Sequence, residues 1–264
     1  MLNLMRADIY RLLRGKSLYI TIMVAFFLTL SITSGNLLIG YNTQNTSVNL
    51  VDPEAMKNVV GSLAPFAIMA QPDFILFLIL PIIFALVATD FSSNAIKNTL
   101  SSGVSRIKYY FAKVILGFSF AIIITLFNVI VGSIVATARN GFGGNFDGAY
   151  ILSVLKPYLG QLLMFFAAVC IGNAIVFISQ KGSVLNSVYI AFFFGMVLVF
   201  FLITSAIPSW ANINNFNFNT NLEMLSAMSQ LSKSDVVRAL SIGVFWIIIS
   251  TVLGIMVFRK SEIK

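Results

Sequence analysis

Long apolar stretches alternate with short polar segments along the whole chain. A helix of about 20 residues crosses the roughly 30 Å of hydrocarbon in a bilayer, and backbone in lipid must satisfy its own hydrogen bonds. The pattern therefore predicts an all-α membrane protein with six transmembrane helices. The predicted spans are 18–39, about 63–89, 114–138, 158–179, 184–207 and 239–258.

The second span differs from the others because it contains three prolines, Pro65, Pro72 and Pro81. Proline removes a backbone donor and clashes with the preceding turn, which argues against a straight helix here. Its strongly apolar part covers only 74–89, so it depends on upstream residues or a thin bilayer to complete the crossing.

Composition supports a single transmembrane domain over residues 1–264. The chain is 58% hydrophobic and 10% charged, with a mean hydropathy of +0.93, whereas soluble domains are about 25% charged. It has no histidine and one cysteine, Cys170. This inventory excludes internal disulfides and histidine chemistry, and we predict neither a catalytic nor a metal site.

The distribution of cations predicts the orientation, since cytoplasmic loops of membrane proteins are enriched in Lys and Arg. Placing both termini in the cytoplasm puts twelve cations inside and five outside. The five outer ones are Lys57, Arg139, Lys156, Lys233 and Arg238. A long first loop at 41–57 and a glycine loop at 140–148 then lie outside.

The third outer segment, at 208–237, begins with asparagines and continues into 222–231, which has helical apolar spacing. It contains either a short re-entrant helix or an ordinary loop helix packed on the bundle. Ser232 or Ser234 is expected to cap the last span.

Residues 1–16 predict a basic amphipathic helix in the plane of the membrane. Its apolar face has Leu2, Met5, Ile9, Leu12 and Leu13, and the cations on other faces are Arg6, Arg11 and Arg14. The alternative is an exposed basic tail without fixed structure. We expect no cleavable signal peptide, because the apolar run that follows is too long.

The sequence RGKS at 14–17 is not a phosphate-binding loop. That motif requires a glycine five positions before the glycine of the Gly-Lys pair, and Tyr10 stands there. The chain is therefore not expected to bind ATP by that route, and any energy source must lie elsewhere.

The longest polar interruption, residues 90–110, falls between the second and third spans. Ser92 and Ser93 are good helix starters, and a short helix would expose Ile96 and Leu100 until Gly103 stops it. Ser105 would cap the next helix, from Arg106. The segment is either a docking element or a loop that merely joins two spans.

IKNTLSSGVSR (96–106), followed by IKYYFAKV and preceded by Asp90, resembles the first cytoplasmic loop of type-2 ABC exporter permeases. The similarity is to bacterial bacitracin-resistance, lantibiotic-immunity and amphipathic-peptide export systems in particular. In that family the loop is a coupling helix that docks on a separate ATPase. The residues implied in this contact are Asp90, Asn94, Ile96, Lys97, Asn98, Thr99, Leu100, Ser101, Gly103 and Arg106.

The chain departs from the family pattern at two places. Asn94 and Ala95 stand where the family usually has Gly-Thr, and Asp90 stands for the usual glutamate. Asparagine can adopt the left-handed backbone that glycine provides, so the turn can survive.

Asn128 lies near the middle of the third predicted span, and Gln161 and Asn173 lie in the fourth. Buried amides in lipid must be paired or face water, so they either bond between helices or line a substrate path. No acid occupies a span centre, which argues against a proton-coupled transporter.

The resemblance implies a permease with no bound cofactor of its own, working with two ATPase subunits that hold ATP and Mg. A second permease protomer, identical or homologous, is also implied, in a bacterial plasma membrane. The implied cargo is a hydrophobic or amphipathic molecule, such as an antimicrobial or other peptide or a lipid-like molecule, exported from the membrane or cytoplasm, and no nucleic acid is expected. The alternatives are an ATP-independent channel, a membrane anchor of a sensor complex, and a membrane enzyme, for which catalytic groups are lacking.

Overall fold

The computed structural model describes residues 2–34 and 59–261. Within these residues the chain forms ten α-helices, joined by two 3₁₀ segments at Pro208–Phe216 and Leu225–Ala227. The helices are α1 Leu2–Arg14, α2 Lys16–Thr33, α3 Ala64–Met69, α4 Pro72–Ser92, α5 Ala95–Ser101, α6 Arg106–Asn140, α7 Gly148–Ser179, α8 Gly182–Ala206, α9 Phe218–Met224 and α10 Lys233–Lys260. The predicted outer loop at 41–57 and the end of the first predicted span lie outside the described residues.

Six helices are long and apolar enough to cross a membrane: α2, α4, α6, α7, α8 and α10. This confirms the predicted six-span, all-α fold. The helices extend beyond the apolar runs, and α7 begins ten residues before the predicted span because Asp147 caps it, accepting a hydrogen bond from the Tyr150 amide at 2.8 Å. The 35 residues of α6 make it about 52 Å long, so its ends project past the hydrocarbon.

The second predicted span is interrupted, as its prolines indicate. The short helix α3 ends at Met69, and α4 starts at Pro72, where the missing N–H costs nothing because first-turn donors have no helical partner. Pro81 lies inside α4, and a π-helical turn follows at Phe84–Ala88.

The centre of the bundle is α7, whose buried residues include Met164, Phe165 and Cys170. Helix α10 packs closely on it: a methyl group at Gly243 would lie 2.9 Å from the sulfur of Met164. Gly254 similarly lies against the Tyr110 ring of α6. Small residues at these crossings let the helices approach, which is how helices associate in lipid.

The face of α1 that meets the bundle differs from the predicted one. Asp8 and Leu12 are buried and Arg11 is half-buried against the bundle, whereas Leu2, Ile9 and Leu13 are exposed on the other side. Arg11 lies on a different side from the predicted apolar residues, as expected, but it meets the bundle there because it pairs with acids that the sequence alone does not bring together. Met5 lies between the two sides, and Arg6 and Arg14 are exposed.

The helix in the 208–237 segment lies earlier than predicted, at Phe218–Met224 rather than across 222–231. Asn217 starts it by accepting a hydrogen bond from the Asn219 amide at 3.1 Å, and the chain tightens into a 3₁₀ turn at Leu225. Leu222 and Leu225 are fully buried, so this segment packs into the bundle. Ser232 caps α10 as predicted, accepting from the Asp235 amide at 3.2 Å.

Candidate functional site

The polar insertion forms a short helix, α5, set off by turns on both sides. Ser92 and Ser93 close α4 instead of starting α5, because both hydroxyls donate to the Thr89 carbonyl, at 3.0 and 2.7 Å. The predicted start at these serines is therefore wrong. Asn94 adopts a left-handed backbone conformation with φ of 56°, as expected for an asparagine that replaces the glycine of the related loops. The helix α5 begins at the next residue, Ala95.

The C-terminal end of α5 and the start of α6 are as predicted. Gly103 has φ of +91°, a conformation that favours glycine and ends the helix. Ser105 then caps α6 by accepting a hydrogen bond from the Lys108 amide at 3.4 Å.

The exposed surface of α5 is polar. Lys97, Asn98 and Ser101 project from the bundle, as do Asn94 and Gly103 at its ends, and Thr99 is partly covered. Ile96 is only 1% exposed and Leu100 packs partly against the same core, so the predicted exposure of Ile96 is wrong. A two-turn helix attached to a bundle buries its aliphatic positions under itself and presents its polar side outward.

Arg106 holds the end of the last helix. Its guanidinium donates to the carbonyls of Phe258, Arg259 and Ser261, at 2.7, 3.0 and 2.7 Å. The last carbonyls of a helix have no partner within it, so a cation in this place satisfies them and complements the helix dipole. Arg106 thus links the start of α6 to the end of α10.

Asp90 lies inside the protein, 3% exposed, in a cluster of four charged residues. We call Asp8, Arg11, Asp90 and Lys113 the ion cluster. Lys113 donates to Asp8 and to Asp90, each at 2.7 Å, and Arg11 contacts Asp8 at 3.2 Å and forms a direct ion pair with Asp90. Two acids and two bases make the cluster neutral, and they join α1, α4 and α6.

Neutral groups complete the ion cluster. The Tyr109 hydroxyl donates to Asp90, and the Arg11 guanidinium reaches the Leu86 carbonyl at 3.2 Å, beside the π-helical turn of α4. Lys113 is fully buried, with its ammonium 5.0 Å from the centre of the Tyr109 ring. Buried charges are tolerated only when they are paired and hydrogen-bonded in this way.

Burial raises the pKa of the Asp8 carboxyl, against the opposing attraction of Lys113 and Arg11. Burial alone would lower the pKa of Arg11, but its hydrogen bond to Asp90 and the acid's charge outweigh that effect and raise it. Lys113 and Arg11 thus favour the charged form of Asp8 against the effect of burial, and Asp90 favours the charged form of Arg11.

Sequence reasoning missed Asp8, Tyr109 and Lys113. Two signals point toward them: Asp8 and Arg11 are spaced as an i, i+3 ion pair, and Lys113 is a lone cation inside the apolar run that opens the third span. Nothing in the sequence indicates that they meet Asp90, which is 82 positions from Asp8 along the chain.

The three amides predicted to lie inside the third and fourth spans, Asn128, Gln161 and Asn173, are buried. Asn128 accepts from the Thr29 hydroxyl of α2 at 2.6 Å, and Gln161 donates to the carbonyls of Met69 and Leu222, at 2.7 and 3.0 Å, so both bond between elements. The Asn173 amide nitrogen donates within its own helix, to Val169 at 2.8 Å. In the described part of the chain, no three His, Cys, Asp or Glu side chains come together in a group that could hold a metal.

These contacts attach the projecting helix α5 firmly to several helices of the bundle. A polar helix, α5, projects from a bundle end at which the ion cluster and Arg106 hold α1, α4, α6 and α10 together. A sequence model of the ABC-2 family transporter proteins matches residues 4–198, about three quarters of the 264 residues. This range contains α5 and the whole ion cluster. A search of curated proteins finds no match to the chain.

Proposed function

The chain belongs to the ABC-2 family of transporter proteins, and from this premise we propose that it is the permease subunit of an ATP-driven exporter whose ATPase docks on α5. The observation that carries the proposal is the polar side of α5, with Lys97, Asn98 and Ser101 exposed on a helix that begins five positions after Asp90 of the ion cluster. A docking element must offer side chains to a partner and be firmly attached to the part it moves, and α5 meets both requirements.

Force on α5 would reach the spans by two routes. Asp90 lies two residues before the end of α4 and is bound to Lys113 of α6 and Arg11 of α1. On the other side of α5, Arg106 binds the end of α10. Closure of two ATPase subunits, which would hold the ATP and Mg, would therefore move α1, α4, α6 and α10 as one body.

Two such permeases, identical or homologous, would enclose the pathway in a bacterial plasma membrane with both termini of each chain in the cytoplasm. The last three turns of α8, Met196–Ala206, contain no buried residue, so an apolar side of the bundle is open to lipid, to a second protomer or to cargo. An amphipathic peptide or a lipid-like molecule is the cargo that such a surface suits.

The first test asks whether α5 binds the ATPase. The candidates are ABC ATPases of the organism from which the chain comes, beginning with those found in neighbouring reading frames, each co-purified with wild type, Lys97→Glu and Arg139→Glu. Arg139 is the matched control, since it is also an exposed cation but lies at the opposite end of α6. We expect Lys97→Glu to weaken the complex at least tenfold, about 1.4 kcal/mol, and Arg139→Glu to leave it unchanged. Absence of any complex, or equal affinity of both variants, would contradict the proposal.

The second test addresses the ATP-independent alternatives. The permease is reconstituted in liposomes loaded with a fluorescent amphipathic peptide, with and without the ATPase. We expect efflux only with the ATPase and ATP. Flux of equal rate from the permease alone would favour a channel, and a stable complex with no flux under any condition would favour a membrane anchor of a sensor complex.

A further inference from the structure

A second polar site lies at the other end of α4 from the ion cluster. Asp73 is in the first turn of α4, and 17 helical positions separate it from Asp90, which is about 25 Å along the axis. Asp73 is only partly exposed and meets α9, where the Asn219 amide nitrogen donates to its carboxylate at 3.0 Å. The same nitrogen donates to the Phe193 carbonyl of α8 at 3.1 Å.

Glu223 belongs to this site as well. It follows Asn219 by four positions in α9, so the two side chains share one face of the helix, the face that meets Asp73. Burial, and to a smaller extent the negative charge of Asp73, raises the pKa of Glu223 to about 7. Two partly buried acids thus lie on facing sides of α4 and α9, each linked to Asn219: Asp73 by the hydrogen bond and Glu223 by its helical spacing.

No cation of the described residues 2–34 and 59–261 forms an ion pair with Asp73 or Glu223. The nearest charged residues on the neighbouring helix α10 are Lys233, Asp235 and Arg238, and the Arg238 guanidinium pairs with Asp235 at 2.9 Å. Neither acid is therefore paired with one of these cations, although the Arg238 guanidinium also reaches the Met224 sulfur, next to Glu223, at 4.0 Å.

The unused oxygen of Asn219 points to a ligand. Asn219 is 7% exposed, and its Oδ1 has no hydrogen-bond partner, although the nitrogen of the same amide touches Asp73. An unpaired amide oxygen in a buried site costs about 1–3 kcal/mol unless it binds something. This oxygen is bonded to the same carbon as the nitrogen that contacts Asp73.

We propose that Asp73, Glu223 and the Oδ1 of Asn219 form a binding site for a hard cation, with Ca²⁺ the ion that fits best. Calcium takes six to eight oxygens from carboxylates, amides and carbonyls, with water completing the shell. The two carboxylates and the amide offer up to five oxygens, and the Phe193 carbonyl lies next to them. A bound ion would neutralise both acids and satisfy Asn219, and would fasten α9 to the start of α4.

Binding of Ca²⁺ itself tests the proposal, using the full-length protein in detergent at pH 7.5 with radiolabelled calcium. We expect saturable binding of one ion per chain, weakened at least tenfold by Glu223→Gln and by Asp73→Asn. Both substitutions keep the size of the side chain, and Asn at 73 still offers an oxygen to Asn219. Asp235→Asn is the matched control, because it removes an acid of the same end of the bundle, and should bind calcium as wild type does.

A thermal unfolding series completes the test. Calcium should raise the Tm of wild type and of Asp235→Asn but not that of Glu223→Gln. The proposal is overturned if wild type shows no saturable binding, or if both site variants bind as tightly as wild type. It is equally overturned if Glu223 makes stability depend on pH while calcium has no effect, since the site would then take only protons.

Discussion

A single side chain decides whether the ion cluster is stable. Lys113 is fully buried and contacts both acids at 2.7 Å, so no water can replace it without opening the bundle. Such a cluster adds little net stability compared with apolar residues, but removing one member leaves an unpaired charge in the interior. The cluster therefore fixes how the helices meet more than it adds to their cohesion.

Lys113→Met should destabilise the protein by about 3–5 kcal/mol, because Asp8 and Asp90 would then share Arg11 alone. Thermal unfolding of the purified protein in detergent measures the loss. Adding Asp8→Asn to Lys113→Met should recover part of it, since a neutral Arg11–Asp90 pair remains. Lys108→Met, at an exposed position of the same helix, is the control and should change stability by less than about 0.5 kcal/mol. A double variant no more stable than Lys113→Met would show that the charges do not act together.

Glu223 makes stability depend on pH. Its pKa is about 7 in the folded protein and near the ordinary 4.5 when unfolded, so the folded state holds the extra proton between these values. The contribution of this proton to the free energy of unfolding is fully present below about pH 4.5. It is lost as the pH rises toward 7, and the loss is on the order of 1–3 kcal/mol. Unfolding measured without divalent cations should show this decline in wild type and not in Glu223→Gln. A decline of equal size in the variant would place the titrating group elsewhere.

For single residues, the sequence predicted local roles, such as helix caps and turns, better than it predicted contacts between distant residues. The left-handed turn at Asn94, the cap at Ser105 and the cap at Ser232 depend on neighbours within three positions, and local chemistry is sufficient for them. The pairing of Asp8 with Lys113, or of Asp73 with Asn219, depends on how helices pack across more than 100 positions. Periodicity in one helix carries no information about that packing.

Helix α5 shows which features of a secondary-structure element can be predicted from the sequence pattern and which cannot. Its presence and its end at Gly103 follow from polar composition and a glycine, whereas its start and its buried side do not. Ile96 and Leu100 share a face, and an isolated helix gives no indication whether that face meets a partner or the bundle. The bundle covers it, so the polar side is the one left exposed.

Gly103→Ala should disturb α5 through its backbone alone. A methyl group there meets nothing within 4 Å, but the φ of +91° is strained for any residue with a Cβ. We expect a loss of about 1–2 kcal/mol in stability and weaker stimulation of the ATPase by the permease. Gly148→Ala is the control, because its surroundings are equally open and its φ is ordinary. Equal behaviour of the two variants would show that the turn after α5 is not strained by a side chain.

For the whole molecule, hydropathy predicted all six spans because a membrane helix satisfies its backbone internally and needs only length and apolar residues. Hydropathy predicted the ends of the helices less accurately. α7 starts at Gly148 in a polar region where a cap, and not hydropathy, decides. The division of the second span into α3 and α4 was indicated by its prolines.

The orientation of the bundle can be tested by labelling. Cys170 is completely buried, and replacing it with Ala gives a background for single cysteines at Lys97 and Arg139. In intact cells, a membrane-impermeant maleimide should modify the cysteine at 139 and spare the one at 97. In inverted vesicles the result should reverse. Labelling of residue 97 from outside would contradict the coupling role of α5.

The neutral balance of the ion cluster restricts how the sequence can change over evolution. Losing any one of the four charges leaves the buried cluster with an unbalanced charge. Exchanging an acid and a base together keeps the net charge of the cluster at zero. In an alignment of relatives, positions 8, 11, 90 and 113 should therefore vary jointly or be replaced as a set by apolar residues. Drift at one of them alone should be selected against.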